Sequence, residues 1–189
     1  MTSDAEVSDE VLASSAARGD DRAFSILVGR HKEAVYRLLR RYNGNSDEAY
    51  EAAHEAFIAA WKAIRRYDAR RPFGAWLRTI AINKARDRGR RQKVRNLIFG
   101  TKSSDDFEVM NVTDRSINAD DRLILDHEVS QLEKALARLP ANLKEALLLT
   151  ALEGFSQKQA AEILGVTSKT VETRVYRARK LLAEKLGEK

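Results

Sequence analysis

Apolar side chains recur every three or four positions along most of the chain, and no stretch alternates in the manner of a strand. Phe24, Leu27, Val28, Val35, Leu38, Leu39 and Tyr42 fall on one stripe of period 3.6, which predicts an amphipathic helix over 22–42. His31 lies on the same stripe and reads as a packed core imidazole. Asn43-Gly44-Asn45 breaks that helix, and Ser46 is placed to cap the next. The second helix turns Ala49, Ala53, Ala56, Phe57, Ala60 and Ile64 inward. Its other face carries Glu51, His54, Ile58 and Lys62, a polar row holding an exposed isoleucine, which suits a protein contact. Tyr67 to Arg71 form a charged loop. Pro72 then fits the first turn of a third helix, where its missing N–H costs nothing. Phe73, Trp76, Leu77, Ile80 and Ala81 make that helix's stripe.

From about Asn96 to Asp121 the periodicity dissolves, and the polar, acidic composition predicts a linker with little fixed structure. Leu125, Val129, Leu132, Leu136 and Leu139 restart helical spacing up to Pro140. Leu143, Ala146, Leu147 and Thr150 continue it to Gly154, a C-cap candidate. The expected fold is all-α, with two small helical domains joined by a flexible acidic linker. The expected boundaries are an acidic N-terminal extension over 1–19, a first domain over 20–95, the linker over 96–122 and a second domain over 123–189.

The second domain carries a local signature. Ser156-Gln157-Lys158-Gln159 has the S-x-x-Q form of a capping box, so a short helix starts there and runs through Ala160, Ala161 and Leu164 to Gly165. Thr167 or Ser168 can cap a second helix with Val171, Val175, Ala178 and Leu182 inward. Alanine permits close helix contact, glycine tolerates the sharp turn and valine anchors the second helix, which together fit a helix-turn-helix. Opposite the valines that helix projects Thr173, Tyr176, Arg177 and Lys180, flanked by Glu172 and Arg174, with Lys169 at its start. Such a face suits a major groove. Arginine can bridge guanine O6 and N7, glutamate can accept from cytosine N4, and threonine can touch a thymine methyl. Arg179, Lys180 and Lys185 suit phosphate neutralisation, which gives affinity without sequence information.

Charge sharpens this picture. The 189 residues carry 34 Lys+Arg against 28 Asp+Glu, a net +6. Residues 62–95 hold thirteen bases and only Asp68 and Asp87 as acids, and 169–189 hold seven bases against three acids. Between them, 96–130 hold eight acids and three bases, so two cationic blocks are kept apart by an acidic one. Two separated cationic surfaces point to a polyanion touched at two places. The chain has no cysteine, which excludes disulfides and thiolate chemistry, and its three histidines are not paired at ligand spacing. With no glycine-rich phosphate loop either, nothing supports catalysis, a cofactor or a metal. No stretch approaches the ~20 apolar residues that span a bilayer. A cytoplasmic protein without membrane insertion is expected.

The segment RRYDARRPFGAWLRTIAINKARDRGRR, followed by LEKALARLPANLKEALLLTALEGFSQKQAAEILGVTSKTVETRVYRARKLL, resembles bacterial RNA polymerase sigma factors of the extracytoplasmic-function (ECF) group. The likeness covers roughly 20–95 and 125–186. It implies that domain two docks on core RNA polymerase and recognises the melted −10 element, while domain four reads the −35 element as duplex. An anti-sigma factor is a further implied partner. By the family's motif the polymerase-binding face falls on Glu51, His54, Glu55 and Ile58. His54 stands where the family usually has Gln. Holding unstacked bases needs stacking surfaces and cations. The loop at Tyr67, Asp68 and Arg71, with Asn83, Arg86, Arg90 and Arg91 along one side of the third helix, is the expected −10 surface. Phe73 and Trp76 could stack bases, but their place on the apolar stripe favours core packing.

Three other readings compete. A two-domain helix-turn-helix regulator would tend to have His where Arg174 stands and would need an effector pocket. A sigma-like decoy that titrates an anti-sigma factor could lose its DNA-facing arginines, which are intact here. A helical enzyme finds no catalytic constellation to support it.

Overall fold

In a computed structural model, residues 7–99 and 131–187 are described, and every regular element among them is helical. The first lies where no packed element was expected. Ser8 accepts from the Val11 amide and caps α1 (Asp9–Ala17), which carries Asp9 and Glu10 in its first turn against the positive end of its dipole. Leu12, Ala13 and Ala16 are buried, so this part of the presumed acidic extension belongs to the core. Arg30 donates to the Val7 carbonyl (2.7 Å) and to Asp9 Oδ1 (2.8 Å), while Asp9 Oδ2 lies 2.6 Å from His31 Nε2. Burial pushes the Asp9 carboxyl upward, but its bonds to Arg30 and His31 outweigh that and hold it below the usual range.

Asp20 caps α2 (Asp21–Asn43), which ends on Gly44 in the left-handed region, φ 78°, where a side chain would be strained. The cap of α3 (Ser46–Ala63) is Asn45, whose side chain accepts from the Glu48 amide, and Ser46 is the first helical residue instead. Ala49, Ala52, Ala56 and Ala60 are fully buried, which brings α3 close to its neighbours. A short 3-10 turn, Ile64–Arg66, leads to α4 (Phe73–Phe99), with Pro72 just before its first helical residue. Phe73, Leu77, Ala81 and Ala85 line its buried side. α4 continues into the segment read as linker. Leu97 and Ile98 there are 84% and 69% exposed, so no apolar stripe marks the extension.

After the described end of α5 (131–137) comes α6 (Ala141–Leu147), which widens into a π-helical turn over Leu148–Leu152. The expected continuous helix therefore changes its winding before Gly154, which has φ +70°. Both halves of the Ser156–Gln159 capping box form at the start of α7 (Gln157–Leu164). Gly165 takes φ 67°, and Thr167 accepts from the Thr170 amide to cap α8 (Ser168–Gly187). Val171, Val175 and Ala178 close the core of this unit.

The two helical units meet. Leu38, Ala75 and Ile82 of the first join the second unit's buried cluster, and Tyr42 packs against both. Among the described residues two ion pairs cross the junction. Arg78 Nε donates to Glu153 Oε2 (2.7 Å) with both side chains about nine-tenths buried, and the guanidinium lies 5.4 Å from the Phe155 ring centre. Arg86 grips Glu145 through Nε (2.7 Å) and Nη2 (2.5 Å), and Tyr42 adds its hydroxyl at 3.1 Å. Beside them Lys144 Nζ donates to the carbonyls of Tyr42 (3.1 Å) and Ala137 (3.0 Å).

Burial lowers the Lys144 ammonium to about 8 from 10.5. Between those values the unfolded chain holds the proton more firmly than the folded one, so stability rises with pH. Chemical denaturation is expected to show a gain of roughly 2 kcal/mol from pH 8 to pH 10. Lys144→Met removes that slope. An equal slope in the variant shows that another group carries it.

Candidate nucleic-acid and polymerase interfaces

Helix α8 is fixed by its buried valines, and this decides which side chains face outward. Thr173, Tyr176, Arg177 and Lys180 are exposed, with Tyr176 at 69%. Thr173 Oγ1 donates back to the Lys169 carbonyl (2.9 Å), which leaves its methyl as the outward contact. Lys169 pairs with Glu172 (2.9 Å) and Lys180 lies 4.0 Å from Glu184, both on the surface. Surface pairs of this kind are worth little and yield readily to phosphate. Arg174 is different. It is half-buried and lines the cleft between the two units, turned away from the row that holds Arg177.

The loop ahead of α4 is anchored by an aromatic cluster. Tyr67 sits 5.7 Å from Phe73 and 5.2 Å from Trp76, ring centre to ring centre, and its hydroxyl donates to the Arg71 carbonyl at 2.5 Å. Burial, then the charges of Glu10, Asp9 and Asp68, push the phenol to about 12, so it stays protonated as a donor. Asp68 receives Arg70 through the backbone amide, Nε and Nη2 at 2.8–3.1 Å. Those bonds hold its carboxyl at about 2. Arg71 points to solvent. Phe73 is 1% exposed and is core, and Trp76 is half-buried against it.

The arginines of α4 do not share one side. Asn83 is exposed and accepts from Arg86 (3.3 Å), while Arg86 itself is bound to Glu145. Arg86 and Arg90 line the inter-unit cleft of about 780 Å³, with Arg90 also paired to Asp87 at 2.5 Å. Arg91 faces the α3 side, where a groove of about 370 Å³ also holds Arg88 and Arg95. Residues one position apart on a helix lie about 100° apart, so Arg90 and Arg91 diverge.

On α3 the four expected contact residues divide. Arg88 reaches across from α4 to Glu55 (2.7 Å) and to Glu51, so both carboxylates are engaged inside the unit. His54 and Ile58 are exposed and line a groove of about 400 Å³ with Phe24, Phe57 and Trp61. Trp61 is 37% exposed and touches Phe24 at 4.9 Å. Sequence reasoning missed Trp61, although its position three residues after Ile58 and seven after His54 places it on their face. A second groove of about 490 Å³ continues past His54 to Tyr36 and Tyr50.

Residues 27–95 match the family described as Sigma-70 region 2, and residues 130–182 match Sigma-70, region 4. The chain is 35% identical over 179 residues to RNA polymerase sigma factor CnrH of Cupriavidus metallidurans, covering 94% of each chain. It is 30% identical over 186 residues to the ECF RNA polymerase sigma-E factor of Escherichia coli K12, covering 96% of this chain and 95% of that one. Among solved structures, CnrH in complex with the cytosolic domain of CnrY superposes with a TM-score of 0.68 at 32% identity, covering 95% of this chain and 97% of that one. Region 2 and region 4 stand here in that order within one polypeptide, and the likeness runs nearly end to end: the chain belongs to the ECF group of RNA polymerase sigma factors.

Proposed function

We propose that this chain joins core RNA polymerase and directs promoter-specific initiation, with domain two (20–95) taking the melted −10 element and domain four (123–189) the duplex −35 element. The observation that carries the reading is the presence of both sigma regions in one chain, each bearing its own cationic surface. Catalysis belongs to the polymerase, and the protein works in the cytoplasm where polymerase and DNA are. An anti-sigma factor controls it, a reading supported by the CnrH–CnrY complex among its structural relatives. Run-off transcription with purified core polymerase over a randomised promoter library tests polymerase dependence and both elements together. A library transcribed without enrichment at either element overturns the reading.

In this scheme α8 lies in the major groove with Arg177, Thr173 and Tyr176 toward base edges and Lys169, Glu172 and Lys180 at the margins. The loop of Tyr67, Asp68 and Arg71 holds a displaced base, and Asn83, Arg86, Arg90 and Arg91 follow the backbone from the two sides of α4. The groove around Ile58, His54 and Trp61 receives an apolar helix face of the polymerase, with Glu51 and Glu55 at its edge.

Because Arg177 faces outward and has no carboxylate partner among the described residues, Arg177→Ala is expected to weaken −35 duplex binding by about 1–3 kcal/mol and to relax base preference at one position. Equal loss on every duplex in a binding selection makes it a phosphate contact instead. Ile58→Asp places a charge in the exposed groove without touching the core. Core-polymerase affinity measured by titration should fall at least about tenfold, with the thermal midpoint of the protein unchanged. Retained affinity moves the polymerase contact elsewhere.

A further inference from the structure

The loop on which the proposed −10 surface depends is bonded to itself. Its Arg71 amide donates to the Asp68 carbonyl (3.0 Å), Asp68 holds Arg70, and the Tyr67 hydroxyl closes onto the Arg71 carbonyl. Joined in this way the loop moves as one piece, and the Tyr67 ring seats it on the helices through Phe73 and Trp76. Phe73 is 1% exposed and carries the His31 ring on another side, 5.4 Å away. His31 in turn is held by Asp9 Oδ2 at 2.6 Å, and Asp9 by Arg30 at 2.8 Å. α1 reaches the loop by a second route as well, because it packs on the 3-10 turn that ends at Arg66, one residue before Tyr67. The charges of its Glu10 and Asp9 are felt at the Tyr67 phenol.

Stability does not need the polar half of this arrangement. Leu12, Ala13 and Ala16, none more than 6% exposed, hold α1 to the core. Asp9 and Arg30 keep about a quarter of their side chains in water, and ion pairs so placed contribute little net energy. What the Asp9–His31 contact fixes is an orientation, that of the imidazole against Phe73. A loop seated on one ring follows any tilt of that ring, and sites that select a ligand tolerate only about 0.5 Å of displacement.

We propose that Asp9 and His31 are positioning residues for −10 recognition: through Phe73 and Tyr67 they set the loop of Tyr67, Asp68 and Arg71 where it discriminates the displaced base, and neither touches DNA. The proposal rests on the assignment of that loop to the −10 element. It makes the first helix part of promoter selection, although α1 lies outside the residues matched to Sigma-70 region 2.

The test is run-off transcription by the full-length chain with core polymerase, over a library randomised at both promoter elements. Asp9→Ala and His31→Leu should each reduce enrichment of the preferred base at one −10 position by about fivefold or more, with −35 enrichment kept. Leu12→Ala loosens α1 through its core contact and spares the Asp9–His31 pair. It should lower the thermal midpoint and leave the −10 preference intact. Unchanged −10 preference in both Asp9→Ala and His31→Leu overturns the proposal. Equal loss in Leu12→Ala, or loss of both elements together, also overturns it, because α1 then acts through fold stability alone. Where His31→Leu does not fold, Asp9→Ala decides, since its side chain is partly in water and outside the apolar core. Failure of the loop's assignment shows separately, as a library transcribed by the unmutated protein without enrichment at the −10 element.

Discussion

A carboxylate buried between two helical units sets the terms for this molecule. Glu145 lies on α6, a helix of seven residues, and nearly all its surface is removed from water. An isolated charge in that place would cost many kcal/mol, so its position obliges Arg86 and Tyr42 to meet it. Those obligations fix where α4 and the end of α2 stand relative to α6. Burial and the Glu145 charge together push the Tyr42 phenol well above its ordinary value, which keeps it a donor to that carboxylate at any ordinary pH. Arg78 and Glu153 repeat the arrangement one helix turn pair away, with Gly74 permitting the approach. A Cβ on Gly74 would stand 3.2 Å from Arg78 Nη1 and 3.5 Å from the His31 ring.

The long helix α4 then serves three neighbours at once. Its apolar face packs into the first unit through Phe73, Leu77, Ala81 and Ala85. One flank sends Arg88 to Glu51 and Glu55 of α3, and the other sends Arg78 and Arg86 to the second unit. The concentration of cations in 62–95 is therefore partly structural, since three of those arginines are tied to carboxylates at interfaces. Among the described side chains, those that remain outward on α4, Asn83, Arg90, Arg91 and Arg95, make a more divided surface than the sequence count suggests.

The helices were legible because their stripes are regular and their ends carry specific caps. The Ser156–Gln159 box, Gly165 and Val171 are local features, and local features survive translation into structure. What was illegible depends on pairs far apart in the chain. Arg86 and Glu145 are 59 positions apart, and no spacing rule links them. The same holds for Arg88, which withdraws Glu51 and Glu55 from the simple picture of an exposed acidic row. α1 was missed for a different reason: its composition reads as a solvated acidic tail, and only its small apolar residues Leu12, Ala13 and Ala16 betray a packed face. The stretch read as a linker lies largely outside the described residues, and its first part is the exposed end of α4.

α1 also explains why a histidine sits on an apolar stripe. His31 stacks on Phe73 at 5.4 Å, with the rings tilted by 54°, and reaches Asp9 with its other side. Phe73 in turn touches Tyr67, and Tyr67 feels the charges of Asp9 and Glu10. A continuous chain of contacts thus runs from the first helix through the imidazole and the aromatic cluster to the loop at Tyr67–Arg71. The loop holds a single hydrogen-bonded turn, the Arg71 amide to the Asp68 carbonyl, and its one aromatic side chain, Tyr67, packs on that cluster, so its geometry is inherited from the chain of contacts. An aliphatic residue at 31 could fill the volume but would leave the Asp9 oxygen without its partner beside Arg30. The imidazole is the side chain that offers an aromatic face to Phe73 and a ring nitrogen to a carboxylate at the same time.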